Sequence, residues 1–451
     1  MNQIEIPQVL KNEKTRLGLL LEEIKDRPIG EYSLGLVSVP HRENSQIRSS
    51  RNLVMKSMDI QLSGQFPKGK VYDILDQYAT HPVIQTGDHC ELIYDPQTFL
   101  NNFIYHMGAS RLDLKFLLTQ QCSTPRMIQY RNPLIGPGVL KLPEGDYRLV
   151  NRSKKSLIRS NVATVGQVTY TMKPETPGVH TPLPQILQEM KGTKFQSAVE
   201  AFLFTNNLIW NSIKMDRKQN LVLFDESLSS DIVAGMIEDS HHPLRSLLFD
   251  PECSRVFREE IDQFAKSPEC LMIKTTTDFF WGKHKEALVA LQLSEDGTYL
   301  RARIKEQGFQ LEFNPKSIAN ALRSRVLYPN LFISMLAISI FPGNTVIGGA
   351  SQYEYAPEVQ KILKSTIARL GLLTTSETND VTVSNLSRMA NVVSLSHPIC
   401  GEILRMDKGT DFSQWESELA SSTVGRALGD YSNFDYFNSY FANRRKRISK
   451  E

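Results

Sequence analysis

The chain of 451 residues is poor in cysteine: it has five, at 90, 122, 253, 270 and 400, and none form a C-x-x-C pair. An odd, scattered set of this kind argues against a disulfide framework and a zinc cage and fits a reducing cytoplasm. Charge imbalance is lacking too. The 52 Lys and Arg against 49 Asp and Glu leave a formal +3, too near neutral for a surface-wide nucleic-acid footprint. No apolar run reaches membrane length, since the longest, NLFISMLAISIFPG at 330–343, is broken by serines and stopped by Pro342. The opening MNQIEIPQVLKNEK has no apolar core before a cleavage site, so no secretory signal is expected. Internal repeats and low-complexity tracts are also absent. What is present is an ordinary globular composition, 41% hydrophobic and 22% charged, over a length suited to two or three domains.

The stretch HPVIQTGDHCELIYDPQTFLNNFIYHMGAS, residues 81–110, carries the clearest grammar. Val83 to Gln85 read as a short buried strand. Asp95 suits an N-cap and Pro96 the first helical position. Phe99, Leu100, Phe103, Ile104 and Met107 then recur at helical spacing. LDLKFLLTQQCSTP (112–125) predicts a second strand ending in a polar loop. Upstream, a helix carries Leu17, Leu20, Leu21 and Ile24, and VYDILDQYA (71–79) is helical. YSLGLVSVP (32–40) and SMDIQLS (57–63) read as strands. Such alternation implies right-handed βαβ units and an α/β fold with a mostly parallel sheet. Residues 126–182 read as a β-rich insertion of short runs between Pro and Gly. Helical periodicity returns at 182–213, followed by a strand, NLVLFD (220–225), and helices to about Ala265. A further β-rich portion leads to strand-loop-helix grammar at 328–373. The expected division is a core formed by 1–125 and 183–375, the insertion at 126–182, and a helical C-terminal region at 376–451.

In an open parallel sheet, ligands bind beyond the carboxyl ends of the strands. Thr86, Gly87, Asp88, His89 and Cys90 occupy one such loop, and Gln120, Gln121, Cys122, Ser123 and Thr124 the next. Gly87 permits close backbone approach, and His89 with neighbouring amides could hold a phosphate or carboxylate. The alternative is an Asp88–His89 pair that only caps a turn. Asn101, on the following helix, is assigned to substrate binding with these residues. Gly348 and Gly349 precede another helix, whose first turn carries Gln352, Glu354 and Tyr355; the glycines form either a ligand loop or a simple turn. GQFPKGKV (64–71) falls one residue short of a P-loop, with Val71 where a Ser or Thr should reach magnesium. A phosphotransferase using Lys70 rests on that near-match alone. His241 and His242 lack partners at metal spacing and read as a helix boundary, so no metal site is assigned. Cys90 and Cys122 are either nucleophiles or small buried hydrophobes. The terminal RRKRISK reads as a solvated tail.

Three of these segments together resemble the bacillithiol synthase family, the cysteine-adding enzymes of bacillithiol biosynthesis. VIQTGDHCELIYDPQTFLNNFIYH has the shape of that family's Thr-Gly-Gln-Gln strand end and apolar helix. YPNLFISMLAISIFPGNTVIGGASQYEYA stands where the family has its Ser-Pro-Asn strand and Gly-Gly-Pro-Ala-Glu helix start, and NLVLFDESLSSDIVAGMIEDSHHPLRSLLF lies between. The likeness covers about residues 70–370. It departs at the family's Glu-Asp-His-Asp cluster, replaced here by Gln120, Gln121, Cys122 and Ser123; at its Gln-Gln pair, replaced by Asp88 and His89; and at its Glu after the glycines, replaced by Gln352. A C-terminal coiled coil is not evident, because Val359, Ile362, Leu363, Ile367 and Leu370 make one amphipathic helix.

The resemblance implies a Rossmann-like core and a ligase or transferase that joins an amino acid or other amine to an acyl or hydroxyacyl acceptor. ATP with Mg²⁺ would serve as cofactor. Its partners would be small molecules, an amino acid among them, with neither nucleic acid nor membrane, and a homodimer is compatible with it. In that scheme Asp88 or His89 orients or deprotonates the amine. Thr86, Gly87, Asn101, Ser123, Gly348, Gly349 and Tyr355 line the substrate and nucleotide subsites, and Gln120, Gln121 and Gln352 bind polar substrate groups. The rival reading is a non-catalytic small-molecule or nucleotide-binding protein that kept the crevice and lost the chemistry.

Overall fold

The computed structural model describes residues 16–38, 44–129, 135–143, 145–175, 183–267, 270, 276–304, 308–371 and 388–429. Four helices come first: α1 (Arg16–Ile24), α2 (Ile29–Val37), α3 (Ser45–Ser63) and α4 (Lys68–Thr80). β1 (Val83–Gln85), α5 (Pro96–Arg111) and β2 (Phe116–Gln120) follow. An antiparallel four-stranded sheet is then built from β3 (Val139–Leu142), β4 (Gly145–Val150), β5 (Val168–Pro174) and β6 (Lys194–Phe195), with α6 (Lys154–Arg159) and α7 (Gln185–Met190) in its connections. The chain returns through α8 (Ala198–Ser212), β7 (Asn220–Phe224), α9 (Glu226–Glu238), α10 (Pro243–Phe249) and α11 (Pro251–Lys266). A second antiparallel sheet, in the order β11-β10-β9-β8-β12, contains β8 (Phe280–His284), β9 (Ala287–Leu293), β10 (Tyr299–Ala302), β11 (Gln310–Glu312) and β12 (Leu327–Pro329), with α12 (Pro315–Arg323) before its last strand. Last come α13 (Leu331–Met335), β13 (Thr345–Gly348), α14 (Ala350–Leu370), β14 (Arg388–Met389), α15 (Pro398–Arg405), α16 (Ser413–Ser421) and α17 (Val424–Leu428).

The central sheet runs β14-β13-β1-β2-β7, and every pairing in it is parallel. The fold is therefore α/β, as the strand-helix alternation implied. Strand residues alternate between two separate apolar clusters. Val83, Leu117, Leu221, Leu223 and Ile347 face one, with Phe99 and Phe103 of α5 and Phe202 and Trp210 of α8. Ile84, Phe116, Leu118, Val222, Phe224 and Val346 face the other, with Ile74 of α4, Ile232 of α9 and Leu363 of α14. A fully buried side chain of this size contributes about 1.5–3 kcal/mol, so covering both faces is the main stabilising term. The C-terminal helices join the first cluster through Ile399, Ile403, Phe412 and Leu419. From β1 the chain crosses to β2 on one side, while β13 pairs on the other side of β1. The sheet thus switches direction there, and the carboxyl ends of β13, β1, β2 and β7 surround one crevice.

Two expected strands are helices. YSLGLVSVP lies largely in α2, where Tyr32, Leu36 and Val37 share one buried face. SMDIQLS is the last third of α3, whose buried Val54, Met58 and Leu62 recur every four residues behind an Asn44 cap. Seven to nine residues span barely two helical turns, too few for the 3.6 period to outweigh β-branched content. The apolar stretch after Asn330 is helical as well. α13 runs on through a π-helical turn to Ile340, and only Thr345–Gly348 is strand. Among the described residues no helix is long and apolar enough to cross a membrane.

α2 and α5 approach so closely that a Cβ on Gly108 would lie 2.1 Å from the carbonyl oxygen of Ser33. Gly108→Ala should therefore lower stability by about 1–3 kcal/mol, as overpacking does. Gly35, on the exposed side of α2 with open space around it, should tolerate the same change with a gain of about 0.5–1 kcal/mol. Chemical denaturation of both variants checks the pair; equal effects would mean that the α2–α5 contact is looser than described.

Candidate functional site

The loops after β1 and β2 meet. Cys90 N donates to Cys122 O at 2.8 Å and Cys122 N to Asp88 O at 2.7 Å, which extends the parallel pairing beyond Gln85 and Thr119. On the flanks, Thr86 N donates to Ile347 O at 2.7 Å and Gln121 N to Phe224 O at 2.8 Å. Four strand ends are stitched side by side. Gly87 packs against the glycine pair, and a Cβ there would sit 2.7 Å from Gly349 N and 2.9 Å from the Gly348 carbonyl carbon, leaving room for glycine alone. Gln352, buried in the first turn of α14, places Nε2 2.6 Å from Thr86 Oγ1 and fills the space that a Cβ on Gly348 would need. A Cβ on Gly349 would meet nothing within 4 Å.

Asp88 and His89 do not act as a pair. Asp88 is 2% exposed, and its carboxylate accepts from Gln85 Nε2 (2.6 Å), Asn101 Nδ2 (2.8 Å) and Asn102 Nδ2 (2.7 Å). Burial pushes its pKa up to about 7, with the three amides pulling the other way. It fastens β1 to α5, and Asn101 is engaged with it rather than with the crevice. His89 turns outward and is exposed; the protein mass around it lowers its pKa, while Asp95 opposes that. Gln121 is buried and its Oε1 accepts from Asn206 Nδ2 of α8 at 3.4 Å.

The crevice holds a cleft of about 50 Å³ whose polar rim is Thr86, Gln120, Cys122, Gln352, Tyr355 and Glu226. Leu331, Met335, Ile338 and Val346 form an apolar wall, with Ser334 among them. Glu226 opens α9 directly after β7, and its Oε2 accepts from Ser123 N at 2.8 Å and Thr124 N at 2.5 Å. Burial pushes its pKa up to about 7; Thr124 draws it down and Asp225 adds to the rise. Two buried polar atoms in this lining, Gln120 Oε1 and Ser334 Oγ, have no hydrogen-bond partner among the described residues, although Gln120 Nε2 donates to Ser229 Oγ at 2.6 Å. Burial raises the thiols of Cys122 and Cys90 and the phenol of Tyr355, so all three are protonated at neutral pH and the cysteines are poor nucleophiles.

Of the residues singled out from sequence, Thr86, Gln120, Gln352 and Tyr355 line the cleft. Gly87, Gly348 and Gly349 lie outside the lining and pack together beside Thr86 and Gln352, and Ser123 positions Glu226. Asp88, Asn101, His89 and Gln121 lie outside the lining. Glu226 itself was missed, because an acid in a first helical turn is favoured by the helix dipole without any function. The P-loop near-match connects two helices, α3 and α4, with no strand before it, and Lys70 Nζ lies 4.6 Å over the Phe66 ring. The Lys70 reading therefore falls. His242 caps α10, its Nδ1 accepting from Leu244 N at 3.1 Å, and among the described residues no His, Cys, Asp or Glu cluster could hold a metal. No known family model matches the chain, and no curated protein matches it.

A carboxyl whose folded pKa is raised binds more protons folded than unfolded, so its stabilising contribution is lost as pH rises through the interval between the two values. For Glu226 that interval runs from the ordinary glutamate value of 4.5 to about 7. The stability difference between wild type and Glu226→Gln should therefore decline across this window and level off above it. Parallel melting curves of the two proteins measure it; a difference that grows with pH would place the Glu226 carboxyl in an ionised, solvated setting instead.

Proposed function

We propose that the chain is a Rossmann-like, cytoplasmic enzyme of the bacillithiol-synthase kind, joining an amino acid, cysteine included, or another amine to a small acyl or hydroxyacyl acceptor. The observation that carries this reading is the set of unpartnered acceptors, Gln120 Oε1 and Ser334 Oγ, in one cleft with a carboxyl of near-neutral pKa. An ammonium group is the complement of that lining: it donates to the amide and hydroxyl oxygens and pairs with Glu226. Before its nitrogen can attack the acyl carbon of an acceptor that carries its own leaving group, it must lose a proton; a carboxyl with a pKa near 7 is suited to take that proton at neutral pH and to return it to the group that departs as the C–N bond forms. Thr86 and Gln352 orient the remainder of the substrate, and the apolar wall limits its size. Glu226 thus takes the base role expected of Asp88 or His89 from the sequence.

ATP with Mg²⁺ does not fit this cleft. Its lining has no Lys or Arg, so a triphosphate would meet Glu226 and no fixed cation, and about 50 Å³ does not admit a nucleotide. The rival reading, a binding protein without chemistry, draws on the locking of Asp88 into three amides and on the amide-rich 120–124 loop.

Thermal-shift titration with free amino acids, L-cysteine among them, tests occupancy first, and a bound amino acid should raise the melting temperature of the wild type. With an acceptor in hand, Glu226→Gln should lower turnover by about 10²–10⁴-fold, the usual worth of general-base help, while still melting cooperatively. His89→Ala should leave turnover within about threefold, because a group outside the lining supplies none of that help. Amino-acid binding without turnover in the wild type would select the binding-protein reading; full activity in Glu226→Gln would remove Glu226 from the chemistry.

A further inference from the structure

A second and larger concavity, of about 510 Å³, opens between α6 and the β8–β9 turn, where the two antiparallel sheets meet. Its walls carry Lys155 and Arg159 from α6, with Lys285 and His284 from the turn, and Ser156 between them. Lys155, Arg159 and Lys285 are all exposed, and none of the three has a carboxylate partner among the described residues. The one acid in the lining, Glu286, is already engaged by Arg152 at 3.1 Å. Lys285 holds a left-handed backbone, φ 56°, a conformation that ordinary side chains rarely adopt.

The two walls are fixed to each other. Asn161 N donates to Glu286 O at 3.0 Å, Asn161 Oδ1 accepts from Leu288 N at 2.8 Å, and Thr164 Oγ1 donates to Glu286 O at 2.6 Å. Three cations that repel one another are thus held around one cavity without a counter-charge of their own.

We propose that this concavity binds the phosphate groups of a small phosphorylated molecule. A chain of two or three phosphates supplies the several negative charges that Lys155, Arg159 and Lys285 lack, and it accepts from the guanidinium and the hydroxyl of Ser156. A carboxylate would satisfy only one cation. Nucleic acid is disfavoured, because the basic residues lie within one concavity and the whole chain carries only +3. The site is separate from the Glu226 cleft, whose lining rejects phosphate, and its test does not depend on the amine-joining reading.

Inorganic tripolyphosphate is the probe, titrated calorimetrically into the full chain at low ionic strength, with ATP as a second arm. Saturable binding is expected, weakened about tenfold or more by Arg159→Gln and by Lys285→Asn, the usual consequence of removing one charge-assisted contact, and unchanged by Glu226→Gln. Asparagine tolerates the backbone at 285, so that variant carries the test if Arg159→Gln fails to fold. Equal or tighter binding of ATP with the same variant sensitivity identifies a nucleotide as the phosphate source; weaker binding identifies a simpler phosphate ester, and either supports the site. Absence of saturable binding, or binding that both variants leave intact, overturns it. So does duplex DNA binding more tightly than tripolyphosphate with the same sensitivity, which would make the surface a nucleic-acid contact.

Discussion

The crevice depends on one constraint: β1 is only three residues long and must pair in parallel with β13 on one side and β2 on the other. A strand of that length fixes its register weakly by itself. The loop beyond it supplies the rest, through Thr86 to Ile347 on one edge and Cys90 and Asp88 to Cys122 on the other. Gly87 then brings its backbone against Gly348 and Gly349 at a separation no side chain permits. The same interlock that completes the sheet forms the edge of the cleft, so Thr86, Gln352 and Gln120 owe their positions to backbone geometry more than to side-chain packing.

Two buried carboxyls near this interlock are treated differently, and the contrast separates scaffold from site. Asp88 is enclosed by side-chain amides from β1 and α5, which leaves no face for a ligand. Glu226 takes its donors from the backbone and hydroxyls of Ser123 and Thr124 in the neighbouring loop and keeps contact with the cleft. Burial raises the pKa of both to about 7. Accessibility, not basicity, therefore decides which can exchange a proton with a bound molecule.

The sheet was readable from sequence wherever strand, cap and helix signals agreed. β1 with its Asp95–Pro96 helix start, β2, β7 and the two β-rich portions all follow from residues that point the same way. The failures came from short windows. In α2 and the end of α3, a window of seven or nine apolar-rich residues looks strand-like by itself, and only the longer span shows the four-residue recurrence. The crevice could be placed because loop position follows from βαβ topology. Side-chain direction could not: nothing in Thr-Gly-Asp-His says that Asp88 turns in toward Asn101 and Asn102 while His89 turns out. Glu226 was hidden by its own context, since Asp-Glu after a strand is what a helix start requires in any case.

The insertion is more than a decoration on this sheet, because the segment 161–164 ties it to the cleft. Asn161 Nδ2 donates to Thr124 O at 2.6 Å, Val162 N to Pro125 O at 3.0 Å and Ala163 N to Ser123 O at 2.8 Å. The loop whose amides hold Glu226 is therefore clamped from behind by residues that also hold the β8–β9 turn, through Glu286 and Leu288. Tyr328 Oη adds a bond to Ala163 O at 3.0 Å from the strand just before α13, the helix that begins the apolar wall. Asn161 gives a movement of the turn at 285 a direct route to Thr124, and from Thr124 it would act on the hydrogen bond that helps set the Glu226 carboxyl. The Asn161 side chain thus spans the basic concavity and the acid of the cleft, and its bonds to Thr124 O and Leu288 N leave it little freedom to move independently of either.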